Sequence, residues 1–114
     1  GKRVWFSPPQ PKLCAGGTEE RCYAAQGGAV TVIPGVVFSG GADGGLRAYS
    51  TRDGSIVWQI DTNREYQTIN GVKANGATID GAGPVVVNGM VFVNSRYSGI
   101  VGRAGNVLLA FEAQ

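Results

Sequence analysis

Histidine is absent from the 114 residues. That absence excludes imidazole metal sites, Ser-His-Asp and Cys-His nucleophilic catalysis, and covalent c-type haem, whose CxxCH signature requires one. Charge is scarce too: Asp, Glu, Lys and Arg make up 16% of the chain, and ten cations against eight anions leave a formal +2. The cations are spread along the sequence with no basic run of the kind that tracks a phosphate backbone, so nucleic acid is not an expected partner. No apolar run approaches the eighteen or so residues of a membrane span, and the opening GKRVWFSPPQ lacks the apolar core of a signal peptide. The chain is therefore expected to be soluble or already processed. No window of twelve residues carries a helical stripe. The length suits one small domain, or one piece of a larger one, and leaves no room for a multidomain enzyme.

What is present in excess is glycine, at 19 positions, beside a hydrophobic share of 43%. This balance favours turn-rich β structure. Short β-branched or aromatic runs predict strands at Arg3 to Phe6, Ala29 to Ile33, Val36 to Ser39, Gly45 to Ser50, Ser55 to Ile60, Pro84 to Val87, Met90 to Asn94 and Asn106 to Phe111. Pro34-Gly35, Asp43-Gly44, Asp53-Gly54 and Asn88-Gly89 fall between them, where hairpins need positive φ or a preset turn. Four runs, from Ala29 to Ile60, form one antiparallel meander. The two cysteines, Cys14 and Cys22, enclose the polar segment AGGTEER. They read as a disulfide or as two free thiols; a bridge implies an oxidising compartment such as a periplasm.

The chain also repeats itself. GVVFSGGADGGLRAYS, from Gly35 to Ser50, is echoed by GMVFVNSRYSGIVGRAGNVLLAFE, from Gly89 to Glu112, with eight extra residues between the second copy's strands. Gly54-Ser55-Ile56-Val57-Trp58 is echoed by Gly1-Lys2-Arg3-Val4-Trp5, which sets Trp5 and Trp58 about fifty residues apart.

Ala48 to Trp58 resembles the tryptophan-docking motif of quinoprotein β-propellers, AxDxxTGKxxW. Ala48, Gly54 and Trp58 match it, whereas Ser50, Asp53 and Ser55 stand in place of its Asp, Thr and Lys; Gly1, Lys2 and Trp5 match its tail and Ala110 its head. Together with VIPGVVFSGGADGGLRAYS, NGVKANGATIDGAGPVVVNGMVFVNS and GNVLLAF, the chain is similar to the carboxy-terminal part of pyrroloquinoline quinone (PQQ) dehydrogenases of the polyvinyl alcohol dehydrogenase type. The resemblance implies an all-β fold: about two four-stranded blades of a propeller of eight, with the quinone near the axis and Ca²⁺ beside it. On that reading residues 1–6 end one repeat, 7–28 form a Cys-bounded loop, 29–60 a full blade, 61–83 a long loop and 84–114 a partial blade. Two blades cannot close a ring, so the chain is expected to be a fragment joined to the remaining blades; a ring of self-assembled copies is the alternative. The activity implied is oxidation of an alcohol to a carbonyl by hydride transfer to the quinone, with electrons passed to a cytochrome c, in the periplasm or outside the cell. A non-catalytic propeller that serves as scaffold or protein-binding module shares the same repeats.

Candidate site residues follow from the long connection Thr62 to Gly83, which shows no clear strand or helix pattern and exceeds the usual loop length. PQQ carries three carboxylates and an ortho-dione, which call for cations and hydrogen-bond donors. Arg64 is expected to pair a carboxylate, and Lys73 and Asn75 to donate to the dione or the acids. Asn94, Ser95, Arg96 and Tyr97 end a strand of the second repeat, where they face the axis; Arg96 stands where the family has a small residue. Asp80 is a weak candidate for the general base, since the family's base and Ca²⁺ carboxylates lie in blades this chain lacks. Trp5 and Trp58 read as spacers between blades rather than platforms for the quinone. Asp43 and Asp53 read as turn formers, and Gly99, Gly102 and Gly105 as a hairpin loop rather than a phosphate cradle, because no helix follows.

Overall fold

The computed structural model describes residues 1–14, 21–95 and 102–113. Among them are nine strands and no helix. β1 (Thr31–Ile33), β2 (Val36–Gly40), β3 (Gly45–Ser50) and β4 (Ile56–Asp61) form one antiparallel sheet in sequence order. β7 (Val85–Val87), β8 (Met90–Ser95) and β9 (Val107–Glu112) form a second, three-stranded sheet. Between them β5 (Glu65–Gln67) pairs with β6 (Lys73–Asn75) as a separate hairpin. The turns follow from residue type: Gly35 lies at φ +86°, and Asn88 and Gly89 at +50° and +75°, conformations that glycine and asparagine adopt at low cost.

The repeat read from the sequence is a repeat in register. Val36 faces Ser50 and Phe38 faces Ala48 in the first sheet, while Met90 faces Glu112 and Phe92 faces Ala110 in the second. The offset is 54 residues on β2 and β8 but 62 on β3 and β9, so the eight extra residues lie wholly in the β8–β9 connection.

The two sheets pack face to face. Leu46, Ile79 and Val93 are the fully buried centre, and Ile60, Val91, Leu109 and Phe111 close around them. Because side chains alternate along a strand, Leu109 and Phe111 point from β9 into this core, while Leu108 and Ala110 point to the opposite face. The inner edges also meet, with the Thr31 hydroxyl donating to the Pro84 carbonyl and the Ala29 N–H to Gly81 at 2.9 Å.

Two strand expectations differ. Arg3 to Phe6 forms no strand; instead Trp5 sends its indole N–H to the Thr51 carbonyl (2.8 Å) and lays its ring over Gly54. A Cβ at Gly54 would meet Trp5 Cε3 at 2.5 Å, so the motif glycine is the surface on which the indole rests. The stretch 61–83, expected without strands, holds the β5–β6 hairpin. Its sequence concealed it because only Tyr66 and Ala74, opposite one another, face inward.

Candidate functional site

The antiparallel order carries the β2–β3 turn, the exit of β4, the end of β8 and the start of β9 to the same end of the two sheets. The segment Gly76–Ile79 threads between these strand ends and is held by both. On one side Thr78 Oγ1 donates to the Ala42 carbonyl (3.0 Å) and the Ile79 N–H to Gly41 (3.0 Å). On the other, Ser95 Oγ donates to Ala77 O at 3.0 Å and the Arg103 N–H donates to Thr78 Oγ1 at 2.8 Å. Thr62 adds a buried hydroxyl that reaches Gly44 O at 2.8 Å and Ser95 Oγ at 3.1 Å. These hydroxyls are buried because backbone carbonyls of distant turns accept from them.

The β2–β3 turn is braced by a buried ion pair. Asp43 and Arg47 are each 2% exposed, and Arg47 Nη2 lies 2.6 Å from Asp43 Oδ2 and Nη1 3.2 Å from Oδ1, a forked pairing. The Gly45 N–H donates to Oδ1 (3.0 Å) and the Leu13 N–H to Oδ2 (3.1 Å). Burial alone pushes the Asp43 carboxyl up, but the Arg47 hydrogen bonds and charge and the two backbone donors outweigh it and hold it below its ordinary value. Asp43 is thus a turn former, as expected, and also the anchor of the amino-terminal segment. That segment is closed by a Cys14–Cys22 disulfide with Cα atoms 6.3 Å apart. Asp53 is also held below its ordinary value, by the Ser55 hydroxyl (2.7 Å) and the Ser55 N–H (3.0 Å), in the motif turn.

The hairpin projects from the same end. Glu65 sits opposite Asn75 and Gln67 opposite Lys73, so these four side chains share its exposed face. With Tyr66 and Ala74 they line a cavity of about 350 Å³. Arg64 lies over the Tyr66 ring, 5.4 Å from its centroid, with Nε donating to the phenol oxygen at 3.3 Å. The structure therefore brings Arg64, Lys73 and Asn75 onto one small element. Asn75 is partly committed: its amide donates to Ala104 O (3.1 Å), its N–H to Asn106 Oδ1 (2.8 Å), and its carbonyl accepts from the Asn106 N–H (2.9 Å). These bonds tie the hairpin to the second sheet. Asn94 is exposed on β8 opposite Leu108, and no hydrogen bond joins it to the hairpin among the described residues. Asp80 follows the threaded segment, half-buried near Gly28. Arg96, Tyr97 and Gly99 lie outside the described residues.

Trp5 and Trp58 occupy equivalent positions. Trp5 rests on the turn that follows β3. Trp58 meets Phe111 edge to face at 5.4 Å and, with Phe38, Val91 and Ala113, lines an apolar groove of about 480 Å³. Trp58 stays 38% exposed in that groove. Two residues escaped the sequence reading: Arg47, whose partner four positions earlier was visible, and Arg103, which sits in a glycine-rich stretch read as a plain loop.

No family model matches the chain. Among curated proteins it is 42% identical over 121 aligned positions to the polyvinylalcohol dehydrogenase of Pseudomonas sp, an alignment that takes in 98% of this chain and 19% of that protein. It is 42% identical over 101 positions to the polyvinylalcohol dehydrogenase of Sphingopyxis sp. (strain 113P3), covering 80% of this chain and 15% of the relative. The chain thus spans under a fifth of the length of the curated relatives it matches, and both are named as dehydrogenases.

Proposed function

From a chain related along its length to one segment of the polyvinyl alcohol dehydrogenases, we propose that it supplies carboxy-terminal blades of a quinone-dependent alcohol dehydrogenase. The two sheets act as successive blades of a propeller completed by the remaining blades of the same protein. The protein oxidises alcohols, passes the electrons to a cytochrome c and works in the periplasm or outside the cell. The disulfide supports an oxidising compartment. The observation that carries the reading is the identity across 98% of the chain to a dehydrogenase, in a segment whose polar elements gather at one end of both sheets.

When bound, PQQ accepts the hydride from the alcohol. The donor set here fits such a group: Arg64 and Lys73 present two cations on the exposed hairpin, and Arg103 Nη1 is buried with no hydrogen-bond partner among the described residues. The anchored Asn75 holds the hairpin in place, so Lys73 two residues earlier is presented from a fixed strand. Gly76–Ile79, which follows β6, is buried and held by the hydroxyls of Thr78 and Ser95. For Ca²⁺ the residues do not suffice: among those described, no group of three His, Cys, Asp or Glu converges. A calcium site is one that blades outside this chain complete.

The test is reduction of an artificial electron acceptor by the protein carrying this segment, with PQQ and Ca²⁺ supplied and a secondary alcohol as substrate. Reduction that needs both quinone and alcohol is expected. Its absence, in protein shown to be folded, overturns the proposal and favours a scaffold role.

A further inference from the structure

We propose that Asn88 is a site of covalent modification: in the folded protein it loses its side-chain amide through a succinimide formed with Gly89, ahead of the chain's other Asn-Gly pairs. There are three such pairs, at Asn70, Asn75 and Asn88. Asparagine is the thermolabile partner in each, and the glycine that follows, having no side chain, leaves its own amide nitrogen least shielded. In the reaction that nitrogen gives up its proton and attacks Cγ of the asparagine. A nitrogen–carbon bond forms, the bond to Nδ2 breaks, and ammonia departs with the proton. Water then opens the five-membered ring at either carbonyl and leaves aspartate or isoaspartate. Only water is consumed.

The three pairs share that chemistry, but the fold treats them differently. At Asn75 the side-chain amide donates to Ala104 O at 3.1 Å and the Gly76 N–H to Arg64 O at 2.8 Å, while Gly76 is so enclosed that a Cβ there would run into the Thr62 carbonyl. Both reacting groups are held. At Asn70, on the exposed hairpin tip, Oδ1 accepts from Thr68 Oγ1 (2.7 Å) and the Val72 N–H (3.3 Å), and the Gly71 N–H donates to Thr68 O (3.1 Å). Both are held again. Asn88 is exposed at φ +50° in the two-residue turn between β7 and β8, and among the described residues neither its side chain nor the Gly89 N–H makes a hydrogen bond. A Cβ on Gly89 would meet nothing within 4 Å, so the approach to its nitrogen is open.

The two products differ in consequence. Aspartate tolerates positive φ as asparagine does and preserves the turn. Isoaspartate adds a backbone carbon to a loop whose length sets Val87 opposite Met90, and it displaces Gly89, whose carbonyl accepts from the Ala113 N–H at 3.0 Å. The second sheet is thereby loosened at the end away from the hairpin.

The test holds the complete protein carrying this segment warm at mildly alkaline pH, which favours loss of the proton from the attacking nitrogen, and follows each Asn-Gly peptide by mass spectrometry for the gain of one mass unit. Because one hydrogen bond changes a rate by a factor of several, Asn88 is expected to react about threefold or more faster than Asn70 and about tenfold or more faster than Asn75. In denaturant the three rates should converge. Reaction at Asn88 no faster than at Asn70 in the native protein overturns the proposal. So does a native order that persists in full in the denatured chain, which would assign it to neighbouring side chains rather than to the fold. Asn88→Asp should unfold at the wild-type midpoint, whereas the isoaspartyl fraction of aged protein should unfold at lower denaturant; equal midpoints for the two contradict the role given to the turn's length.

Discussion

The two sheets share one sequence pattern and one register, yet their surroundings differ. Leu46 on β3 and Leu108 on β9 hold corresponding positions, two residues before Ala48 and Ala110. Leu46 is wholly buried, because the second sheet packs on its face; Leu108 is 64% exposed, because nothing among the described residues covers the equivalent face. The same contrast holds at the docking motif. Trp5 lies against the turn from Thr51 to Gly54, whereas Trp58 remains 38% exposed over Phe111 and Ala113. A blade is stable here because its neighbours complete it, and the pattern that makes it a repeat also makes one repeat insufficient.

The largest contrast expected from mutation lies in the turns at the strand ends. Asp43→Ala leaves Arg47 as an uncompensated buried charge and removes the acceptor for Leu13, so a loss of about 3 to 5 kcal/mol is expected by denaturant unfolding. The second sheet has Leu109 where the first has Arg47 and makes do without such a pair. Replacing both residues, Asp43→Asn with Arg47→Leu, should therefore recover most of the loss; a double variant as unstable as Asp43→Ala would break the equivalence. The pair also sets a pH dependence. Since the folded carboxyl lies below its ordinary value, its contribution is complete at neutral pH, begins to fall as the pH drops through the ordinary carboxylate range near 4, and is lost below the folded value. Asp43→Asn should flatten that part of a stability profile.

Next in size is the core. Leu46→Ala should cost about 2 to 5 kcal/mol, while Leu108→Ala in the 114-residue chain should cost less than about 0.5 kcal/mol. Paired denaturation curves measure both. Removing the bridge by Cys14→Ser with Cys22→Ser should cost about 2 to 3 kcal/mol, seen as a lower unfolding midpoint that reducing agent reproduces in the wild type. The smallest expected contrast is between two glycines. Gly89→Ala strains only a positive φ in open space and should cost about 1 kcal/mol, whereas Gly54→Ala also drives a methyl into Trp5 and should cost more and shift the indole emission.

The strands and their repeat were largely legible because their signals are local. GLRAYS, bounded by Asp-Gly and Asp-Gly turns, gives β3 with its bounds unchanged, and the eight extra residues of the second copy fall in the connection where the register places them. The hairpin was not legible, since KAN has little strand propensity and is held by Asn106, thirty-one residues away. Nor was the network of Thr62, Thr78 and Ser95: their burial depends on backbone carbonyls brought in by the fold. Of the candidate site, the clustering of Arg64, Lys73 and Asn75 could be anticipated from one polar stretch, whereas Arg103 enters only through Thr78.

The central claim is that the two sheets are successive wedges of a closed ring, so that the bare face of the second is covered in the assembled protein. Thiol labelling of Leu108→Cys in the protein carrying this segment tests it most directly, with Leu46→Cys as the protected reference and Ile69→Cys at the exposed hairpin tip as the open one. The account predicts that the thiol at position 108 reacts as slowly as that at position 46. Labelling as fast as at position 69 would contradict it.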